Sequence, residues 1–272
     1  VGGLVSDSLA LIADAGHMVS DVGSLALARG ALWLARRPAT AQMSFGFRRA
    51  EILAALFNGV ALVAIAIWIF VEAAQRLSDP PEILAWTTLA IALAGLAVNV
   101  IGLVILRRSG GRSLNLRAAT LHVIADLLGS VGVIVAAVVI LATGWLYADP
   151  VVSILIGVLV LASSWRVLRE SLGVLLEAVP EGIDAEAVGR RMASVEGVSE
   201  VHDLHIWTIT SGFPALSAHV LVPEGEDCHA RRRELSEMLR RDFGIAHTTL
   251  QVEHGDAHGR PVKVSLSERG SA

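Results

Sequence analysis

A chain of 272 residues that is 54% hydrophobic and only 18% charged, with a mean hydropathy of +0.61, holds more apolar surface than one soluble core can bury. Its net charge of −4 gives nucleic acid no general electrostatic footing as a partner. A single cysteine, Cys228, excludes a disulfide framework and a CxxC zinc site.

The apolar excess stops near Leu176, which predicts a membrane domain over residues 1–177, a small soluble domain over 178–256 and a polar tail over 257–272. Val1–Val5 reads as the end of a cut-off span, and the missing initiator Met and basic leader predict that sequence precedes it. Five apolar segments reach the roughly 20 residues a helix needs to cross hydrocarbon. They are Ser8–Ala35, Glu51–Leu77, Ile83–Leu106, Leu116–Thr143 and Asp149–Leu176. The breaks between them carry turn signals such as Arg36-Arg37-Pro38 and Ser78-Asp79-Pro80-Pro81. Arg36, Arg37, Arg48 and Arg49 fill the first break, and Arg107, Arg108, Arg112 and Arg117 the third. The second and fourth breaks carry acids instead. The positive-inside rule then places the first and third breaks, and the C-terminal domain, in the cytoplasm.

Beyond Ile183 the pattern becomes that of a soluble fold. A helix over Asp184–Val195 precedes alternating strands at Val201–Thr210 and Ala215–Val222, then a charged helix at Cys228–Phe243 and a strand near Thr248–Glu253. The fold class is therefore an α-helical multi-span membrane protein with a C-terminal α+β domain, ferredoxin-like in its αββαβ order. Arg231-Arg232-Arg233 reads as a solvated helix face that can also meet lipid headgroups.

An ionisable side chain at the bilayer centre costs about 2.5–3.5 kcal/mol, yet two spans carry the same pair. His17 and Asp21 stand four residues apart in the first segment, and His122 and Asp126 four apart in the fourth. Each pair lies on one helix face, about one turn apart. Two such faces together supply two imidazoles and two carboxylates, a donor set suited to tetrahedral Zn²⁺. The plainer reading is that each pair satisfies itself within its helix, but the same membrane cost incurred twice in matching form argues against it. Asp14, three residues before His17, joins the site or bonds locally. Asn58 and Asn99 are expected to hydrogen-bond between helices, and Glu72 to pair with Arg76. Histidine titrates near 6.5 when unperturbed, so such a site exchanges protons for a cation near neutral pH.

These residues carry a resemblance. His17-x-x-x-Asp21 and His122-x-x-x-Asp126 resemble the paired metal motif of the cation diffusion facilitators. The stretches Ser8–His17, Phe45-Gly46-Phe47-Arg48-Arg49-Ala50-Glu51 and Asn115-Leu116-Arg117-Ala118-Ala119 resemble the same family, and His202-Asp203-Leu204-His205-Ile206-Trp207 its first cytoplasmic strand. The resemblance spans nearly the whole chain, to about His254. It implies six spans, a homodimer in the lipid bilayer, and Zn²⁺/H⁺ antiport by alternating access, with zinc as transported substrate, a possible regulatory zinc and no organic cofactor. It also implies His202, His219, His247 and Glu253 as ligands in the cytoplasmic domain. His229, His254 and His258 read as solvated. In a regular strand His202 and His205 point to opposite faces, so one site should not use both. The loop Gln42–Phe47 lacks the His or Asp that some relatives place there.

Rival readings are a transporter for Co²⁺, Cd²⁺, Fe²⁺ or Mn²⁺, and a non-transporting metal sensor or regulatory subunit. An intramembrane metalloenzyme would need a general base such as that of HExxH, and no Glu follows either membrane histidine. The short loops point to a bacterial or archaeal plasma (inner) membrane.

Overall fold

The computed structural model describes residues 3, 6–108 and 114–255, without the side chains of residues 21, 106–122 and 125. The expectations for most of Val1–Val5, for the arginines of 107–117, for His258 and for the polar tail lie outside the described residues. The chain divides into two compact units, Val1–Arg29 with Ala55–Leu168, and Gly30–Ala54 with Arg169–Ala272.

Five long helices follow the predicted segments within two residues: α1 (Leu9–Ala35), α2 (Ala50–Ser78), α3 (Ala85–Arg108), α4 (Leu114–Thr143) and α5 (Ala148–Leu175). Their ends obey local chemistry. Pro38 and Pro80 follow α1 and α2, where a missing N–H and a fixed φ stop helical growth. Pro150 sits in the first turn of α5, where its missing N–H had no intrahelical partner to lose. Among the described residues four stretches are long and apolar enough to cross a membrane, in α2, α3, α4 and α5. The 27-residue α1 is long enough, but Asp14, Asp21 and Arg29 interrupt its apolar run.

In the first unit small side chains are buried between helices, with Ala10, Ala13, Ala66 and Ala92 packed against Leu62, Ile69, Val133 and Ile156. Many large ones point outward, and Val98, Ile101, Leu155 and Leu159 are each more than half exposed. That inversion suits hydrocarbon, where small residues bring helices close and an apolar coat costs nothing. Polar side chains tie the helices together. Ser20 Oγ donates to Asn58 Oδ1 at 3.2 Å, and Asn99 Nδ2 to Ser130 Oγ at 3.4 Å, the interhelical role expected of both asparagines. Arg76 pairs with Glu72 at 3.0 Å as expected, and also with Asp7 at 3.0 Å.

In the second unit, α6 (Ala185–Ala193), β1 (Glu200–Thr210), β2 (Phe213–Val222), α7 (Cys228–Phe243) and β3 (His247–His254) follow in the predicted order. The sheet runs β1-β2-β3, antiparallel between β1 and β2 and parallel between β2 and β3. Leu216, Ala218, Val220 and Val222 face a core completed by Val188, Met192, Leu235 and Leu239 of the two helices. Asp184 caps α6 by accepting the Glu186 and Ala187 N–H groups, and Asp227 caps α7 in the same way. Gly244, at φ 71°, closes α7 in the left-handed conformation that glycine adopts without steric penalty. Arg231 does more than solvate a helix face: it donates to the Glu196 carbonyl at 2.9 Å and to Glu234 at 2.5 Å.

The segment joining α1 to α2 belongs to this unit. Arg49 pairs with Glu177 at 3.1 Å, and Thr210 Oγ1 donates to Glu51 Oε2 at 3.1 Å. The Arg48 guanidinium lies 4.6 Å from the Phe213 ring centre.

Candidate metal centre

The heptad-like spacing that puts His17 three residues beyond Asp14 leaves both on one face of α1, and that face meets α4. His17 Nε2 lies 3.6 Å from Asp126 Oδ1, with both side chains largely buried. The contact joins the histidine of one motif to the aspartate of the other. Two donors on neighbouring vertices of a tetrahedral zinc, each bonded at about 2.0–2.1 Å, stand about 3.3 Å apart, so the observed separation is close to a metal bite. Asp21 and His122 sit one turn away on α1 and α4, but their side chains lie outside the described residues. Among the described residues no third His, Cys, Asp or Glu joins the pair. Asp14 is buried and bonds across the interface rather than locally: Ser130 Oγ donates to Asp14 Oδ2 at 3.4 Å. Residue 129 beside it is glycine, where a Cβ would lie 2.7 Å from Asp14 Oδ1.

On the cytoplasmic sheet the residues facing away from the helices form four rungs. Strand register aligns Glu200, Leu221 and Glu253; then His202, His219 and Gln251; then His205, Ser217 and Thr249; then Trp207, Ala215 and His247. The His202 and His219 rings lie 5.3 Å apart. His202 Nδ1 is buried without a hydrogen-bond partner among the described residues, 3.8 Å from Glu200 Oε1. Two expectations are corrected. His202 and His205 share one face, because Asp203 and Leu204 together oppose Ala218 in a β-bulge, with Asp203 in the left-handed region at φ 51°. His205 is then held by Asp203 Oδ1 at 2.9 Å. His247 stands two rungs from the His202–His219 pair, four residues or about 13 Å along the strand, too far to share an ion. Its ring packs instead against Phe45 and Phe213, with ring centres 5.9 and 5.5 Å away. Glu253 is one rung from His219 and bonded to the Gln251 amide. His229 is exposed; His254 is exposed but partnered, with Nε2 3.5 Å from Cys228 Sγ.

Family comparison covers most of the chain. The cation efflux transmembrane domain matches residues 1–176, and the cytoplasmic domain of cation efflux proteins matches residues 180–255. The chain belongs to the cation diffusion facilitator family. Among curated relatives of this cation diffusion facilitator, the metal cation efflux system protein CzcD of Cupriavidus metallidurans is 44% identical, over 93% of this chain and 80% of that one. A cadmium, cobalt and zinc/H⁺-K⁺ antiporter of Bacillus velezensis is 43% identical, over 93% and 82%. The zinc transporter ZitB of Escherichia coli is 42% identical, over 95% and 83%. The metal-bound C-terminal domain of CzcD is 36% identical and covers 26% of this chain and 99% of its own, with a TM-score of 0.25.

Sequence reasoning about this facilitator did not find Ser130, Glu200 or Gln251 as neighbours of candidate ligands. Ser130 carried a signal, standing four residues beyond Asp126 and so on the same helix face. Glu200 and Gln251 become visible only through strand register.

Proposed function

We propose that this facilitator exports a divalent cation, Zn²⁺ foremost, from the cytoplasm across the plasma (inner) membrane in exchange for protons. His17, Asp21, His122 and Asp126 form the coordinating quartet, working by alternating access in a homodimer. The observation that carries the reading is the His17–Asp126 approach of 3.6 Å between α1 and α4. It supports one cation held by both helices, whose relative movement then moves the cation. Such ligands hold a cation only when deprotonated, so cation and protons displace each other. The Bacillus velezensis relative, a cadmium, cobalt and zinc/H⁺-K⁺ antiporter, supports both the exchange and a wider cargo of Co²⁺ and Cd²⁺. Transport is the whole task, and no covalent chemistry is asked of the chain.

In the cytoplasmic domain the residues fit a regulatory zinc at the His202–His219 pair, with a carboxylate from Glu200 or Glu253. The buried Nδ1 of His202, without a hydrogen-bond partner among the described residues, supports that placing. Bound zinc would supply a charge that links neighbouring strands, and a preference for one state of the domain.

The test is zinc entry into vesicles carrying a zinc-sensitive dye, with and without an imposed proton gradient. The parent should show gradient-dependent flux that Asp21→Ala and Asp126→Ala each reduce at least tenfold. A parent that binds zinc through the cytoplasmic pair yet carries none across would replace transport with sensing.

A further inference from the structure

A helix begins with N–H groups that have no intrahelical partner, and in an apolar surrounding each must find one. At the start of α1 Ser8 is the cap, its Oγ accepting the Leu11 N–H at 3.2 Å. The next donors go elsewhere. Leu9 N–H points to Asp149 Oδ2 at 2.8 Å and Ala10 N–H to Asp149 Oδ1 at 3.3 Å. The Ser8 hydroxyl donates to Oδ1 at 2.5 Å. Asp149 belongs to the first turn of α5. A capping box ordinarily draws its carboxylate from the third residue of the same helix; here that residue is Leu11, and the carboxylate comes from another helix. Ser8 and Asp149 are 0% and 1% exposed, and the carboxylate faces the positive end of the α1 dipole. Arg76, near the end of α2, reinforces the joint through the Asp7 carbonyl at 2.6 Å and the Asp7 carboxylate at 3.0 Å.

We propose that Asp149 is a positioning residue for cation transport, acting through α1. Its carboxylate fixes the height and rotation of the helix that carries His17 and Asp21. His17 lies nine residues beyond Ser8, about 13 Å along the axis. A slip of one residue at the cap would turn His17 about 100° away from α4 and break its 3.6 Å approach to Asp126. Sliding or turning α1 at this end gives up three bonds to a buried carboxylate, which are among the strongest available to a neutral donor. The proposal rests on the transport site proposed above.

The experiment compares the parent with Asp149→Asn, Asp149→Glu, Ser8→Ala and the Ser8→Ala/Asp149→Asn pair, each reconstituted and normalised to folded protein. Zinc flux is measured against zinc concentration, and the visible spectrum of bound Co²⁺ against that of Asp126→Ala. Asp149→Asn should raise the zinc concentration for half-maximal flux at least fivefold and weaken the part of the cobalt spectrum that Asp126→Ala removes. Ser8→Ala should shift both less, and the double variant no further than Asp149→Asn. A purely structural role would lower the yield of folded protein while leaving both readouts per molecule at parent values, and that outcome overturns the proposal. Where neither Asp149 variant folds, Ser8→Ala decides alone in the same two directions. A parent without zinc flux but with the Asp126-dependent cobalt spectrum refutes the transport reading, while the spectrum still judges Asp149. A parent lacking that spectrum refutes both.

Discussion

At the scale of single residues, the cost of burying polar groups in an apolar span explains both what was conspicuous and what was not. His17 and Asp126 stood out because ionisable groups are costly inside apolar spans and their two segments repeat one His–Asp spacing. They meet at 3.6 Å, and on the same pair of helices residue 129, without a side chain, lies against the Asp14 carboxylate. A Cβ there would lie 2.7 Å from Asp14 Oδ1, so Gly129→Ala must push α1 from α4 or displace Asp14. Overpacking of this kind costs about 1–3 kcal/mol. Gly129→Ala should lower the unfolding temperature in detergent and cut zinc flux by more than tenfold, more than Gly102→Ala, where a Cβ meets open space. Equal fluxes in the two variants would disprove the close-approach argument. Asp149 hid for the opposite reason. Next to Pro150 it reads as a turn residue, and its partners are reached only across helices. Asp203 was equally illegible, since aspartate tolerates the left-handed conformation without announcing it.

At the scale of elements, helix spans were readable to within two residues because proline and charge end them locally. The αββαβ order followed from a change of period. The faces of the strands did not, because one inserted residue in β1 moves every later side chain to the other face. That bulge puts His205 on the face of His202, while strand register alone pairs His202 with His219 and sets His247 two rungs away. In an Asp126→Ala background, His202→Ala and His219→Ala should each weaken zinc binding at least tenfold, while His247→Ala leaves it within twofold, as read by zinc titration. Loss of binding in His247→Ala would restore the ligand set expected from resemblance. The caps make a separate prediction in pH. Asp227 accepts the Ala230 and His229 N–H groups at the start of α7, and these bonds, the Ala230 one foremost, hold its carboxyl below the ordinary 3.8. A carboxyl held low stabilises the fold above its ordinary value and loses that contribution as pH falls through the lowered one. Thermal unfolding of the parent should therefore weaken below about pH 4, and Asp227→Asn should flatten that part of the profile while keeping the cap. An unaltered acid limb in Asp227→Asn would count against the assignment.

At the scale of the whole molecule, the two compact units divide the chain differently from the two family domains. The 30–54 segment, between two apolar helices in sequence, belongs with the cytoplasmic sheet. Sequence alone placed this segment in the cytoplasm by its arginines, but not against any partner. Its contacts converge on the β1–β2 turn. Arg48 lies over Phe213, Phe213 against His247, and His247 against Phe45, while Thr210 holds Glu51. Since α1 and α2 leave from the two ends of this segment, the question these rings pose is whether they tie the segment to the state of the sheet. Phe213→Ala removes a cation–π contact worth about 0.5–1 kcal/mol and a ring contact of about the same size. Zinc binding at the His202–His219 pair, three rungs away along β2, should survive. If the rings transmit the state of the sheet, maximal zinc flux should fall several-fold and lose its dependence on cytoplasmic zinc. If flux and zinc dependence both persist in folded Phe213→Ala protein, the aromatic contacts only pack the loop, and the polar contact of Thr210 with Glu51 is the next to test.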